Sequence, residues 1–363
     1  MKPFSVPREN QQQSRRMAHG TRTMSLFLSG LILAGCASLC FGCRRTVYRA
    51  KETVMGPIIA RITIVSDNMS GAELESVDKA AFAEVHRVDR LMSHYKEDSD
   101  VSRLNESTGG VWVRVHPMTF EVLEESQKTS GLSGGAFDVT VQPLCTLWGF
   151  WPVRQALVPS EEEIQKTLLH VGYKKLSLNL KDCSVLKSDS EVRVDLGAIA
   201  KGYAVDKAVE ALKAKGIKNA LVQIGGETRA IGTNKTGKPW RIGVLHPTRP
   251  GYLTVLELSN RAVATSGDYM NFFILDGKRY SHLIDPRTGR PISNDVCSVT
   301  ILARTCAEAD ALATAVSVVG MEEGLKLTES LPQTEAIIVK RRGEGDELEI
   351  RTTTGLKGLE FTP

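Results

Sequence analysis

The longest amphipathic pattern in the chain runs from Ala72 to Met92, where apolar residues recur at spacings of three and four. The positions that form the stripe are Leu74, Val77, Ala81, Val85, Val88, Leu91 and Met92. This periodicity predicts a helix with one buried face. Further helices are predicted over 161–169 and 203–214, and a fourth begins after Thr305, where Glu308 completes the spacing of a capping box.

Strand-like runs occur in groups between these helices. IIARITIVS (58–66) precedes the first helix, several β-rich runs lie between residues 220 and 303, and AIIVKRR with ELEIRT predicts a C-terminal hairpin. Grouped strands with helices between the groups predict an α+β fold rather than a regular βαβ alternation. Because no repeat or low-complexity linker interrupts residues 54–363, we predict one globular domain over that range.

The N-terminal segment has the layout of a secretory signal. A basic start is followed by the apolar run MSLFLSGLILAG (24–35) and then by Cys36. Leu33 to Cys36 resemble the bacterial lipobox, whose cysteine is lipidated and becomes the mature N-terminus. This predicts a signal peptide over 1–35 and a tether over 36–53. Two alternatives stay open: an uncleaved anchor of about 19 residues that extends to residue 42, or lipidation at Cys43.

Charge and cysteine content exclude two classes of function. The 363-residue chain has a net charge of +4, and residues 1–35 carry all of it, so the remainder is neutral and offers no basic footprint for nucleic acid. Outside the N-terminal region, the cysteines (Cys145, Cys183, Cys297 and Cys306) show neither CxxC spacing nor clustering with histidine. A zinc site is therefore not expected, and we predict free, mostly buried thiols.

Candidate chemistry concentrates in three motifs. In VDLGAIAKGYAVD (194–206), Asp195, two glycines and Lys201 lie near a predicted helix start, which suits an anionic phosphate, although an aspartate cap beside a surface lysine has the same pattern. Asp310 and Thr314 lie four residues apart on one helix face. They are two oxygen ligands of the kind Mg²⁺ accepts. The alternative is a Thr314 hydroxyl bonded back to the carbonyl of residue 310.

The third motif is YSHLIDPRTG (280–289), in which Pro286 to Gly289 have the composition of a tight turn. His282 is a candidate for proton transfer because its ordinary pKa lies near neutrality, or it satisfies a strand end. The glycine-rich loops at 133–140 and 224–232 have neither GxGxxG nor GxxxxGK[ST] spacing, so dinucleotide-fold and P-loop sites are excluded.

In this order the motifs resemble those of the ApbE family of FAD:protein FMN transferases. The resemblance runs from about Met55 to at least residue 340 and rests on several long segments: LMSHYKEDSDVSRLN, GGAFDVTVQPLCTLWGF, VDLGAIAKGYAVD, LVQIGGE, VATSGDYMNFF, YSHLIDPRTGRP and AEADALATA. It implies an α+β domain built on tandem T-fold-like halves with a deep FAD site. One departure is visible, because the family usually has Met-Gly-Thr where this chain has Met55-Gly56-Pro57.

The resemblance also implies roles for individual residues. FAD would be contacted by Met55, Tyr95, Ala136, Phe137, Asp138, Asp195, Lys201 and Ile284. Mg²⁺ would be held by the main-chain oxygen of Ala198 with Asp310 and Thr314, and His282 would assist deprotonation of the acceptor. Asp285 is then expected to belong to the turn rather than to the chemistry.

The reaction that the resemblance implies moves FMN from FAD to a threonine hydroxyl of an exported or membrane flavoprotein, with AMP as the leaving group. Subunits of the sodium-pumping NADH:quinone reductase or of Rnf-type complexes are the expected acceptors. The lipid anchor would place the enzyme on the periplasmic face of the bacterial inner membrane. Two other functions stay open: an FAD pyrophosphatase that gives FMN and AMP, and a non-catalytic periplasmic FAD-binding protein.

Overall fold

The computed structural model of the chain describes residues 45–150, 157–268, 272–343 and 347–362. Its helices are α1 (Gly71–Met92), α2 (Asp100–Glu106), α3 (Pro117–Leu132), α4 (Gln142–Leu147), α5 (Glu161–Leu168), α6 (Ala200–Ala214), α7 (Cys306–Val319) and α8 (Met321–Glu329). Its strands are β1 (Thr46–Val54), β2 (Ile58–Ser66), β3 (Trp112–Arg114), β4 (Leu176–Asn179), β5 (Ser184–Lys187), β6 (Asn219–Ile224), β7 (Glu227–Ile231), β8 (Trp240–Leu245), β9 (Tyr252–Leu258), β10 (Ala262–Gly267), β11 (Phe272–Leu275), β12 (Lys278–Ser281), β13 (Ile284–Asp285), β14 (Arg290–Pro291), β15 (Val296–Ala303), β16 (Glu335–Arg341) and β17 (Leu348–Thr352).

An eight-stranded antiparallel sheet forms the centre of the fold. Its strand order is β1-β2-β6-β7-β10-β15-β16-β17. The first four strands enclose α1 and α6 in the chain, and the last four enclose α7 and α8. Each half therefore has the order strand-strand-helix-helix-strand-strand once two insertions are set aside, α2 to β5 in the first half and β11 to β14 in the second. This arrangement agrees with the α+β fold and the tandem halves that the sequence implied. The halves meet where β7 pairs with β10.

Helices cover one face of the sheet. α6 packs on β6 and β7, α7 packs on β10 and β15, and α8 packs on β16. In β2, Ile62 and Ile64 face this layer and join a core with Leu74 and Val85 of α1. Burying such aliphatic side chains contributes about 1.5–3 kcal/mol each relative to exposure, so the helix layer and the sheet stabilise each other.

The hairpin of β8 and β9 covers the opposite face. Trp240, Ile242 and Leu256 pack there against sheet residues such as Val263 and Ile337. Because side chains alternate along a strand, neighbouring residues of β6 point to opposite faces of the sheet. Val222 packs in the core on the helix side, and Leu221 packs on the hairpin side. The central strand β15 is buried at every position, as a strand covered on both faces must be.

Most long elements match the sequence predictions, and one boundary does not. The predicted strand 58–66 is β2, and the predicted C-terminal hairpin is β16 with β17. The tether predicted over 36–53 is wrong for its second part, because Thr46–Val54 is β1 and pairs with β2 along its whole length. Cys36 and the predicted signal peptide lie outside the described residues. Within the described residues, no helix is both long and apolar enough to cross a membrane.

Candidate active site

The crossing of α6 and α7 brings two backbones into direct contact. A Cβ atom placed on Gly202 would lie 2.3 Å from the carbonyl oxygen of Cys306 and 2.8 Å from the amide nitrogen of Ala307. No side chain fits in that space, so glycine is required here for close packing of the helices. The contact places Lys201, which precedes Gly202, next to Asp310 of α7.

Lys201 and Asp310 form a half-buried ion pair at this crossing. The Lys201 ammonium lies 3.3 Å from both carboxylate oxygens of Asp310. The Gly202 amide donates to Oδ2 of the same carboxylate at 3.0 Å. Two residues that are 109 positions apart in the chain therefore meet at the start of α6.

Glu227, the first residue of β7, completes the cluster. Its Oε1 accepts from the Lys201 ammonium at 2.6 Å. Its Oε2 is buried and has no hydrogen-bond donor among the described residues. Glu227 follows the glycines of LVQIGGE but was not singled out from the sequence, because nothing local indicates that α6 will bury this carboxylate.

Burial and charge act in opposite directions on this cluster. Burial raises the pKa of Asp310 to about 7, although Lys201 opposes the shift. Burial alone would lower the pKa of Lys201, but Asp310 and Glu227 raise it above its ordinary value. Lys201 is therefore a fixed positive charge, and the two carboxylates around it share one counter-charge.

Asp195 and Tyr95 approach each other through His94. Nδ1 of His94 lies 3.4 Å from Oδ1 of Asp195, and the rings of His94 and Tyr95 are 4.1 Å apart. Burial opposes ionisation of Asp195, but His94, the Gly197 amide and Lys201 together hold its pKa below the ordinary value. Tyr95 is 72% exposed.

Met55 lies in the turn that joins β1 to β2. Its φ of 48° and the φ of 81° at Gly56 place both residues in the left-handed region, which is uncommon for a residue other than glycine. The first residue of β2 lies near Glu227, because a Cβ placed on Gly225 would lie 3.6 Å from the Ile58 side chain and 3.2 Å from Oε2 of Glu227. Met55 therefore precedes, by three residues, a side chain that lies near Glu227.

In the loop GGAFD, the side chains of Ala136, Phe137 and Asp138 are buried within the fold. Both carboxylate oxygens of Asp138 are used within the protein, since Oδ1 accepts from the Thr140 amide at 2.8 Å and Oδ2 accepts from the Tyr173 amide at 2.5 Å. Burial raises the pKa of Asp138. These contacts within the protein organise the loop.

The segment after β12 contains the half-buried His282, followed by a hydrogen-bonded turn. The side chain of Ile284 is 5% exposed and packs with Leu144 and Trp148. Asp285 accepts from the Arg287 amide at 2.9 Å and from its guanidinium at 2.8 Å. Residues 286–289 form the predicted turn between β13 and β14. The prediction that Asp285 belongs to the turn is confirmed.

Comparison with known proteins decides the family. The sequence profile of the ApbE family matches residues 55–338. The chain belongs to the ApbE family. It is 42% identical over 259 residues to the FAD:protein FMN transferase of Vibrio cholerae, which covers 70% of this chain and 77% of that protein. It is 35% identical over 315 residues to the Haemophilus influenzae protein of the same name, covering 84% and 91%.

Solved structures of the ApbE family also match the fold. The flavin transferase ApbE from Vibrio cholerae superposes with a TM-score of 0.78 at 35% identity, covering 87% of this chain and all of that one. The flavinyl transferase ApbE from Pseudomonas stutzeri, in its apo form, gives the same TM-score at 36% identity. The family predicted from the sequence is confirmed, and the matched interval contains every described candidate residue.

The residues implied for a magnesium ion are compatible with one. Asp310 is a buried carboxylate with incomplete charge compensation, and Ala198 lies in the loop that enters α6. The Thr314 hydroxyl does not bond back to the Asp310 carbonyl within the described part of the chain, unlike Ser317, which donates to the Ala313 carbonyl at 2.8 Å. No group of three or more His, Cys, Asp or Glu among the described residues could hold a metal, so a site here would combine one carboxylate with neutral oxygens.

Proposed function

We propose that this chain transfers the FMN half of FAD to a hydroxyl group of a protein acceptor and releases AMP. The observation that carries the proposal is the buried cluster of Lys201, Glu227 and Asp310, which lies within a chain 42% identical to an FAD:protein FMN transferase. A pyrophosphate ester has anionic oxygens that need cationic partners when its bridging bond breaks. A lysine and a carboxylate able to hold a cation meet that need.

FAD would lie along the residues that border this cluster. Tyr95 offers an exposed ring for stacking, and Asp195 is ionised beside it. Met55 precedes Ile58, which lies near Glu227, and we assign Met55 and the loop from Ala136 to Asp138 to FAD binding as well. In this arrangement FAD crosses the start of α6, where the helix dipole and Lys201 favour its phosphates.

Asp310, Thr314 and the carbonyl of Ala198 would hold Mg²⁺. When bound, the ion supplies positive charge to the pyrophosphate oxygens. The chain's own part is to orient the phosphates with Lys201 and to accept a proton. We assign the proton to a ring nitrogen of His282: as the acceptor oxygen bonds to the FMN phosphorus, the hydroxyl proton moves to the imidazole, and the bond to AMP breaks.

The place of action and the acceptors are further parts of the proposal. A lipidated Cys36 would anchor the domain to the outer face of the bacterial inner membrane. There it would meet exported flavoproteins that present a threonine, such as subunits of the sodium-pumping NADH:quinone reductase or of Rnf-type complexes. A Cys36→Ser change should release the protein from the membrane fraction, and membrane retention of that variant would contradict the anchor.

The deciding assay mixes the 363-residue protein with FAD, Mg²⁺ and an acceptor domain, and follows protein-bound flavin fluorescence and the mass increase of one FMN. Asp310→Ala should lower Mg²⁺-dependent transfer by roughly 100-fold or more while FAD binding largely persists. His282→Ala should lower transfer with little change in FAD affinity. Glu323→Ala, which removes an exposed carboxylate of α8, is the matched control and should transfer normally.

The same assay separates the two other functions. Steady AMP release without an acceptor, and no labelled protein when one is present, would replace transfer by FAD pyrophosphatase activity. A stable yellow protein without turnover or metal dependence would mean a non-catalytic FAD carrier. Normal transfer by Asp310→Ala would refute its assignment as a metal ligand, and normal transfer by His282→Ala would return His282 to a structural role.

A further inference from the structure

The ammonium of Lys201 is shared unequally between two carboxylates. It lies 2.6 Å from Oε1 of Glu227 but 3.3 Å from each oxygen of Asp310. A distance of 2.6 Å is that of a strong charge-assisted hydrogen bond, whereas 3.3 Å is long for one. Lys201 is therefore held firmly by Glu227 and more weakly by Asp310.

When both carboxylates are ionised, the cluster also carries more negative than positive charge. Glu227 is 4% exposed and Asp310 is 5% exposed, so water screens neither carboxylate well. Each ionised carboxylate in such surroundings needs a counter-charge, and Lys201 supplies one for the two of them. One negative charge of the cluster is thus uncompensated, and a second cation could compensate it.

We propose that Lys201 and a divalent cation are alternative occupants of the Asp310 carboxylate, and that Glu227 retains the ammonium when the cation binds. The inference rests on the metal site proposed above and adds a residue to it. Glu227 then acts as a positioning residue for Lys201, not as a ligand. In the metal-free protein the Lys201 ammonium occupies the Asp310 carboxylate. When the metal binds, the ammonium leaves Asp310 and stays bonded to Glu227.

The hydrogen-bond partners allow this exchange without leaving a donor unused. Lys201 has three N–H donors, and Oε2 of Glu227 is a buried acceptor that no described residue occupies. When the ammonium leaves Asp310, a freed donor can turn to that oxygen. Oδ2 of Asp310 keeps the Gly202 amide at 3.0 Å, while Oδ1, which accepts only from Lys201 among the described residues, becomes available to the metal.

The first test measures binding of Mn²⁺ alone, without FAD, to the 363-residue protein by electron paramagnetic resonance. Lys201→Met removes the competing charge and should tighten Mn²⁺ binding by roughly tenfold or more. Lys201→Arg keeps the charge and should bind no more tightly than the unaltered protein. Equal affinity in Lys201→Met and the unaltered protein would overturn the proposal.

The second test asks whether Glu227 acts through Lys201. Glu227→Gln should weaken Mn²⁺ binding by about fivefold when Lys201 is present, because the ammonium then stays on Asp310. In the Lys201→Met background the same change should weaken binding clearly less, because only the direct attraction of the Glu227 charge is then lost. An equal loss in both backgrounds would make Glu227 a direct ligand and overturn its positioning role.

A measurement on the unaltered protein keeps the inference testable if a variant does not fold. The NMR signal of the Lys201 ammonium, assigned by its disappearance in Lys201→Arg, should shift when Mg²⁺ is added without FAD. An unchanged signal at saturating Mg²⁺ would overturn the exchange. If neither the unaltered protein nor Lys201→Met binds Mn²⁺, the proposed metal site fails as a whole, and this outcome is distinct from binding that is insensitive to Lys201.

Discussion

Asp206 and Asp310 lie on the two helices that cross at Gly202, and each carboxylate accepts from the beginning of the other helix. Asp206 of α6 accepts from the amides of Cys306 and Ala307 at the start of α7, at 2.9 Å. Asp310 of α7 accepts from the Gly202 amide near the start of α6 at 3.0 Å. In both cases a carboxylate stabilises the positive end of a helix dipole.

The two aspartates differ in their counter-charges. Asp206 has its own partner, because the guanidinium of Arg229 donates to it at 2.6 Å. Asp310 shares Lys201 with Glu227. Arg229 and Glu227 are two residues apart on β7 and therefore point to the same face of the strand. Strand β7 thus supplies the positive charge of Arg229 to Asp206, and the negative charge of Glu227, which competes with Asp310 for Lys201.

This difference separates a structural pair from a functional one. The Asp206 carboxylate has two amide donors at the start of α7 and its own matched charge in Arg229. The Asp310 carboxylate has only a share of Lys201, and this incomplete compensation is the reason we propose it as a cation ligand. A buried acid with a shared counter-ion is a better indicator of a binding site than burial alone.

The largest effect is expected from Gly202→Ala, which would break both capping interactions at once. The new methyl group would lie 2.3 Å from the Cys306 carbonyl oxygen, so the helices must separate. We expect a loss of more than about 3 kcal/mol in the free energy of unfolding, measured by urea denaturation. Gly71→Ala is the control, because that glycine of α1 has open space around it and the change should be neutral or slightly stabilising. Similar losses in both variants would contradict the close-approach argument.

Asp206→Asn should have the next largest effect on stability. It keeps the shape of the side chain but leaves Arg229 without its carboxylate, and breaking a buried pair costs about 3–5 kcal/mol. Arg229 is partly accessible, so we expect about 2–4 kcal/mol. Asp310→Asn leaves Lys201 bonded to Glu227 and should change stability by less than about 1 kcal/mol. Equal destabilisation by the two changes would remove the distinction between the aspartates.

The pH dependence of stability should also distinguish Asp310. Its pKa of about 7 exceeds that of an aspartate in the unfolded chain. Between about pH 4 and pH 7 the folded protein therefore holds a proton that the unfolded chain has released, and stability falls as the pH rises through this window. We expect the metal-free protein to lose about 1–3 kcal/mol more than Asp310→Asn across it. Urea titrations with a chelator present at several pH values measure the difference, and parallel profiles would contradict the assigned pKa.

Elements with a regular apolar pattern could be predicted from the sequence, whereas others, of which α3 and β1 are examples, could not. The helix α1 and the strand β2 match their predictions because their buried positions follow one period. The helix α3 was not predicted because its buried face includes Ser126 and Ser130, whose hydroxyls donate to carbonyls four residues earlier. Strand β1 has mostly exposed or half-buried side chains, as a sheet edge allows, and so resembled a tether.

The candidate site shows a similar division. Lys201 and Asp310 became candidates through their motifs and the family resemblance, while local spacing favoured the alternative for Asp310 and Thr314. Glu227 and His94 were missed because their roles depend on tertiary contacts, with Lys201 in one case and Asp195 in the other. A glutamate after two glycines resembles a turn residue, and only the packing of α6 makes it a buried charge.

The smallest effect on stability is expected from a change at Thr314 of α7, which can be compared with a change at Ser317 of the same helix. Thr314→Val removes a hydroxyl that makes no back-bond to Asp310 in the described structure and keeps the branched shape, so the free energy of unfolding should change by less than about 0.5 kcal/mol. Mn²⁺ affinity should fall by roughly tenfold, because one oxygen ligand is lost.

Ser317→Ala is the matched control on the same helix: it removes a buried hydrogen bond to the Ala313 carbonyl. That change should cost about 1 kcal/mol without altering Mn²⁺ binding. If Thr314→Val behaves like Ser317→Ala in both measurements, the Thr314 hydroxyl belongs to the fold and the metal site loses that ligand.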